Sequence, residues 1–75
     1  MLRAYWEAGQ RALALGLEVD CIGLWGDAVV YAESVPPMER KNTPAKDIAE
    51  GLSELLARHR RFAHAREVER RAEAF

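Results

Sequence analysis

A chain of 75 residues with a formal net charge of -1 has room for one small domain and lacks the positive balance of a general nucleic-acid binder. Its 49% hydrophobic content argues for a folded chain. Cys21 is the only cysteine, which excludes an internal disulfide, and no apolar run approaches the roughly 20 residues of a membrane span.

In chain order, Leu2, Tyr5, Trp6, Gly9 and Leu13 recur at i, i+3, i+4, i+7 and i+11, which predicts a helix over 2–15. Gly16 follows, suited to the left-handed position past a helix end. Leu17, Val19 and Cys21 then alternate with Glu18 and Asp20, the period of a strand. Gly26-Asp27 before Val29-Val30-Tyr31 reads as a hairpin turn, and Pro36-Pro37 ends the second strand. In that register Val19 and Val30 face the core, and Asp20 lies opposite Glu33. Residues 38–42 read as loop. Thr43-Pro44 opens a second long helix whose buried stripe is Ile48, Leu52, Leu55 and Leu56, continued by Phe62 and Ala63, with Gly51 letting it approach the sheet closely. Residues 62–75 read as a charged helical arm, weakly docked or held for a partner.

The expected fold is therefore α+β in α-β-β-α order, a single domain over 1–75 with a two-stranded antiparallel hairpin. Its expected core is Trp6, Leu13, Val19, Val30, Ile48, Leu52 and Leu55. A lone hairpin leaves both sheet edges open, and a chain this short hides only about 60% of its unfolded surface. Pairing of two copies as a homodimer repairs both. One cysteine and no leader-like start fit the cytoplasm.

The sharpest local feature is Arg40, Lys41, Thr43 and Lys46 at the start of the second long helix, where unpaired amides and the helix dipole attract anions such as phosphate. Arg58, Arg60 and Arg61 form a second basic cluster, which equally suits a helix C-terminus. Asp20 and Glu33, like charges opposed across a sheet, call for a neutralising cation, best supplied by an arginine. His59 and His64 are five apart, off the i, i+4 spacing of a zinc pair, and Cys21 has no CxxC partner, so no metal or cofactor is expected. A cysteine among apolar neighbours is ordinary packing rather than a nucleophile, and no catalytic set emerges. Gly23-Leu24-Trp25-Gly26-Asp27 lacks the spacing of a phosphate-binding loop.

The α-β-β-α order with Lys41, Thr43 and Lys46 opening the last helix is similar to double-stranded-RNA-binding domains. Those carry a third strand and a lysine pair that Lys41-Asn42 breaks here. The stretch from Trp25 through Pro36 to Leu56 resembles part of small antitoxins of the HicB type, which lack the amino-terminal helix. Each resemblance covers about half the chain and transfers no site. The expected function is a non-enzymatic protein-interaction module, a homodimeric small regulator or accessory subunit. The alternative is RNA or DNA phosphate binding through the two basic clusters.

Overall fold

The computed structural model describes residues 1–75 as five helices and no strand. They are α1 (Leu2–Ala14), α2 (Glu18–Ser34), α3 (Pro37–Arg40), α4 (Ala45–Arg58) and α5 (Phe62–Ala72). The α+β expectation is overturned: the segment read as a hairpin is the single helix α2, and Gly26-Asp27 lies inside it. Both family resemblances rested on those strands and lapse with them.

The helical reading of 18–34 has a physical basis that the alternation at Leu17, Val19 and Cys21 obscures. Cys21, Trp25, Ala28, Val29 and Ala32 are all buried, at i, i+4, i+7, i+8 and i+11. That is one face of a helix. Val19 and Val30, expected in the core, lie on the opposite face, 71% and 60% exposed. Asp20 and Glu33, expected side by side, are thirteen positions apart on one helix, or about 20 Å along its axis.

Two helical hairpins make up the molecule. In the first, α1 ends at Gly16 (φ 76°), and the amides of Gly16 and Leu17 donate to the carbonyls of Leu13 and Ala12 at 3.0 and 2.8 Å. This is the closure that the glycine led one to expect. In the second, α4 ends by the same hydrogen-bond pattern: Arg60 and Arg61 donate to Ala57 and Leu56 at 2.9 and 2.8 Å. Here the left-handed position belongs to Arg60 (φ 62°), which carries a Cβ, and this break ends the expected stripe before Phe62 and Ala63, both of which are exposed. Pro36 and Pro37 stop α2, because a residue before proline is pushed to extended backbone, as Val35 is (ψ 134°). They also start α3, so that residues 38–40 are helical and not the expected loop.

Trp25 joins the two hairpins. It is 2% exposed, stacks on Trp6 with ring centroids 5.2 Å apart, and donates from Nε1 to the Tyr5 carbonyl at 3.2 Å. Its ring fills notches at two glycines: a Cβ on Gly9 of α1 would lie 1.9 Å from Trp25 Nε1, and one on Gly51 of α4 would lie 2.6 Å from Cζ3. The close approach expected of Gly51 exists, but it is to an indole rather than to a sheet. Ile48, Leu52 and Leu56 of α4 complete the core at 0–1% exposure, while Trp6 and Leu13 are only partly buried. On the other side of α4, α5 packs with Ala65 and Val68 buried, and Ser53 Oγ donates to Glu69 Oε1 at 2.7 Å.

These contacts divide the helical glycines into two kinds. Gly9→Ala and Gly51→Ala force a methyl group into the indole, so each should destabilise by about 1–3 kcal/mol despite the better helix former. Gly23 and Gly26 of α2 have no atom within 4 Å of a built Cβ. Gly23→Ala and Gly26→Ala should therefore stabilise by about 0.5–1 kcal/mol each. Thermal melts of the four variants check both signs; equal effects at all four would remove Trp25 from its assigned place.

Candidate functional site

The residues expected to bind anions fall into two groups at opposite ends of α4. At its start, Arg40 turns inward. It is 8% exposed, donates to the carbonyls of Ala74 and Val35 at 2.9 and 2.8 Å, and lies over the Phe75 ring with its guanidinium carbon 5.0 Å from the centroid. This arginine clamps the segment after α5 to the end of α2: both Nη groups donate to backbone, while Nε is buried without a partner. Thr43 donates to the Arg40 carbonyl at 2.7 Å and accepts weakly from the Ala45 amide at 3.4 Å. Lys41 is exposed. Lys46 borders a cleft with Glu50, Glu69, Glu73, Ala49, Ala72 and Phe75. Three carboxylates on that rim oppose an incoming anion, so the helix start lacks the concentrated positive field that its sequence promises.

At the other end, Arg58 donates to Glu18 Oε2 at 3.0 Å, and His59 Nε2 lies 2.8 Å from Glu18 Oε1. Arg60 and Arg61 are exposed and carry no ion pair. The two basic clusters are separated by most of α4, on the order of 18 Å, and do not form one surface. The acid pair that called for a neutralising arginine does not form; Glu33 by itself is held by Arg71 of α5 through Nε at 2.7 Å and through Nη2. No group of three or more His, Cys, Asp or Glu side chains is placed to hold a metal. Cys21 is fully buried, and burial pushes its thiol up to about 11, which keeps it protonated and unreactive near neutrality.

The structure leaves uncovered the outer face of α2, which bears Val19 and Val30, both expected in the core. Val19, Gly23, Gly26 and Val30 follow one another at intervals of four, three and four, a single stripe about 17 Å long. Asp20 and Asp27 run along one flank, exposed and without an ion pair. Tyr31, 38% exposed, lies on the same flank. The inner face carries the buried stripe, so α2 is apolar on both sides, although this fold covers only one. The flanks between the two faces carry the acids Glu18, Asp20, Asp27 and Glu33. At the amino-terminal end of the stripe, Leu15 and Leu17 are also exposed. The signal was present in the sequence as the helical spacing of Cys21, Trp25, Ala28, Val29 and Ala32, which fixes Val19 and Val30 to the far side.

Compared with known proteins, the chain matches no family model, no curated protein and no solved structure. No helix is long and apolar enough to cross a membrane.

Surface ion pairs set the expected response to acid. Hydrogen bonds from His59 and Arg58 hold the Glu18 carboxyl below its usual range, and Arg71 and Arg70 do the same for Glu33 and Glu67. A carboxylate depressed in the folded state stabilises it above the unfolded value of about 4.3, and that contribution fades as pH falls through the lower folded value. The melting temperature should hold from neutrality to about pH 5 and decline below it, less steeply in Glu18→Gln and Glu33→Gln. A melting curve whose acid slope is the same in both variants would detach these pairs from stability. Arg60→Gly should raise stability by about 1 kcal/mol, since glycine adopts the left-handed conformation without a Cβ clash. Urea denaturation measures it.

Proposed function

We propose that the protein is a non-enzymatic interaction module that docks a partner protein on the outer face of α2. The observation that carries this reading is the exposure of Val19 and Val30, at 71% and 60%, on a helix whose other face is already core. Two further features support it. Gly23 and Gly26 weaken α2 and make room for nothing within the chain, whereas Gly9 and Gly51 make room for Trp25. A local weakness without an internal use is expected where a site lies. The enclosed, protonated thiol of Cys21 supports a binding rather than a catalytic role. A free thiol also fits a reducing, cytoplasmic setting.

A hetero-partner is favoured over a homodimer. Sheet-edge pairing has no strands to work through. Packing α2 on α2 of a second copy would bring together two helices that carry Glu18, Asp20, Asp27 and Glu33 and no base. The alternative reading, nucleic-acid binding, is weakened because Arg40 is turned inward and Arg58 is engaged with Glu18. The role proposed is thus that of a small regulator or accessory subunit.

A photo-crosslinking amino acid placed at Val30, with Arg66 of α5 as the control position, tests this in the host cell. The expected result is one adduct of defined mass from position 30, absent from position 66 and lost in Val19→Ser. An adduct of twice the chain mass would establish a homodimer instead. Indistinguishable labelling from both positions would remove the docking face.

A further inference from the structure

Resting on the α2 docking reading, the chemistry of this face also identifies what it takes: we infer that its partner is an amphipathic helix with large apolar anchors and a basic flank. The stripe is straight, about three turns long and built on one helix, which suits a second helix laid along it rather than a loop or a point contact. Its centre is Gly23 and Gly26, where a built Cβ meets nothing within 4 Å. Those positions are shallow hollows between the ridges of Val19 and Val30. Ridges pack into grooves, so the complementary surface puts bulky side chains over the glycines and smaller ones over the valines.

The flank decides the sign of the partner's charge. Asp20 and Asp27 are seven residues apart, hence two turns apart on one side of the stripe, and neither has an ion pair within the chain. Across the stripe, Glu33 is already held by Arg71, and at the helix start Glu18 is held by Arg58 and His59. Of the four acids of α2, Glu18 and Glu33 are thus neutralised within the chain, and Asp20 and Asp27, which flank the uncovered stripe on one side, are not. No Lys or Arg lies anywhere between Glu18 and Ser34. An acidic partner helix would meet only repulsion here, and a neutral one would leave both aspartates partly desolvated and unpaired. A helix with Lys or Arg at matching two-turn spacing satisfies both.

Two designed helical peptides of three to four turns, each with a leucine stripe, separate the parts of this inference. One carries lysines beside the stripe and the other glutamates, and each is titrated into the isotopically labelled full chain while amide NMR shifts are followed. The lysine peptide should give saturable shifts confined to the Val19–Val30 face and weakening as salt rises. Asp20→Asn with Asp27→Asn should reduce its affinity on the order of 3- to 10-fold, the scale of two exposed charge pairs, while thermal melts show the fold retained. The glutamate peptide should leave that face unshifted. Equal binding of both peptides, or indifference to the two asparagines, would overturn the basic partner while leaving α2 a docking helix. Silence of the α2 amides toward both peptides would overturn the docking reading as well. Shifts of the same face on concentrating the protein alone would assign it to a second copy and overturn the basic-helix partner.

Discussion

Everything in this small fold depends on one indole finding two gaps. Trp25 projects from α2 into the space between α1 and α4, and it fits only because Gly9 and Gly51 present no side chain there. A tryptophan offers the largest apolar surface available to a single residue, and its N–H needs a partner when buried; the Tyr5 carbonyl provides one. The stack with Trp6 adds a second ring to the same layer. With so few residues, a core cannot be assembled from many small contributions, so one side chain touching two helices at once sets their separation. The fold accepts two weak points in helix propensity in return.

The polar interactions lie around this core. Glu18 ties the start of α2 to the end of α4, Arg71 ties α5 to Glu33 near the end of α2, and Arg40 ties the residues after α5 to Val35. Most are exposed, so their strength lies more in orientation than in free energy. Their arrangement is nonetheless selective. Each uses an acid or base that faces another helix, and none reaches the side of α2 that bears Asp20 and Asp27.

Much of the helical frame was legible in the residues. The stripes of α1 and α4 follow a 3.6 period without competition, Gly16 marks the turn, and Ile48, Leu52 and Leu55 are core as their spacing requires. The middle of the chain was not legible, because α2 is apolar on both faces. An alternating run such as Leu17, Val19, Cys21 then satisfies a strand as easily as the spacing from Cys21 to Ala32 satisfies a helix. Gly26-Asp27 strengthened the wrong choice, since the pair is common in turns and a helix gains nothing from it locally. What decides for the helix is long-range: only that form carries Trp25 to both glycines. The basic clusters misled for a related reason. Sequence proximity of Arg40 to Lys46 says nothing about the Val35 and Ala74 carbonyls that claim the arginine, nor about Glu69 and Glu73, which share a cleft with the lysine.

The pairing of helices also bears on how the chain reaches this state. α1 packs on α2 and α4 on α5, each across a short turn, and α2 on α4 is the main packing between distant parts of the chain. Nearly all early structure can thus form between neighbours, the topology associated with rapid folding. The late event is the meeting of two preformed halves, and Trp25 stands at that seam. The stacked indoles belong to the first half and the Gly51 notch to the second. Near-ultraviolet circular dichroism of the stack would follow assembly of the α1–α2 hairpin, while enclosure of the ring against α4 would mark the moment at which the two halves become one cooperative unit.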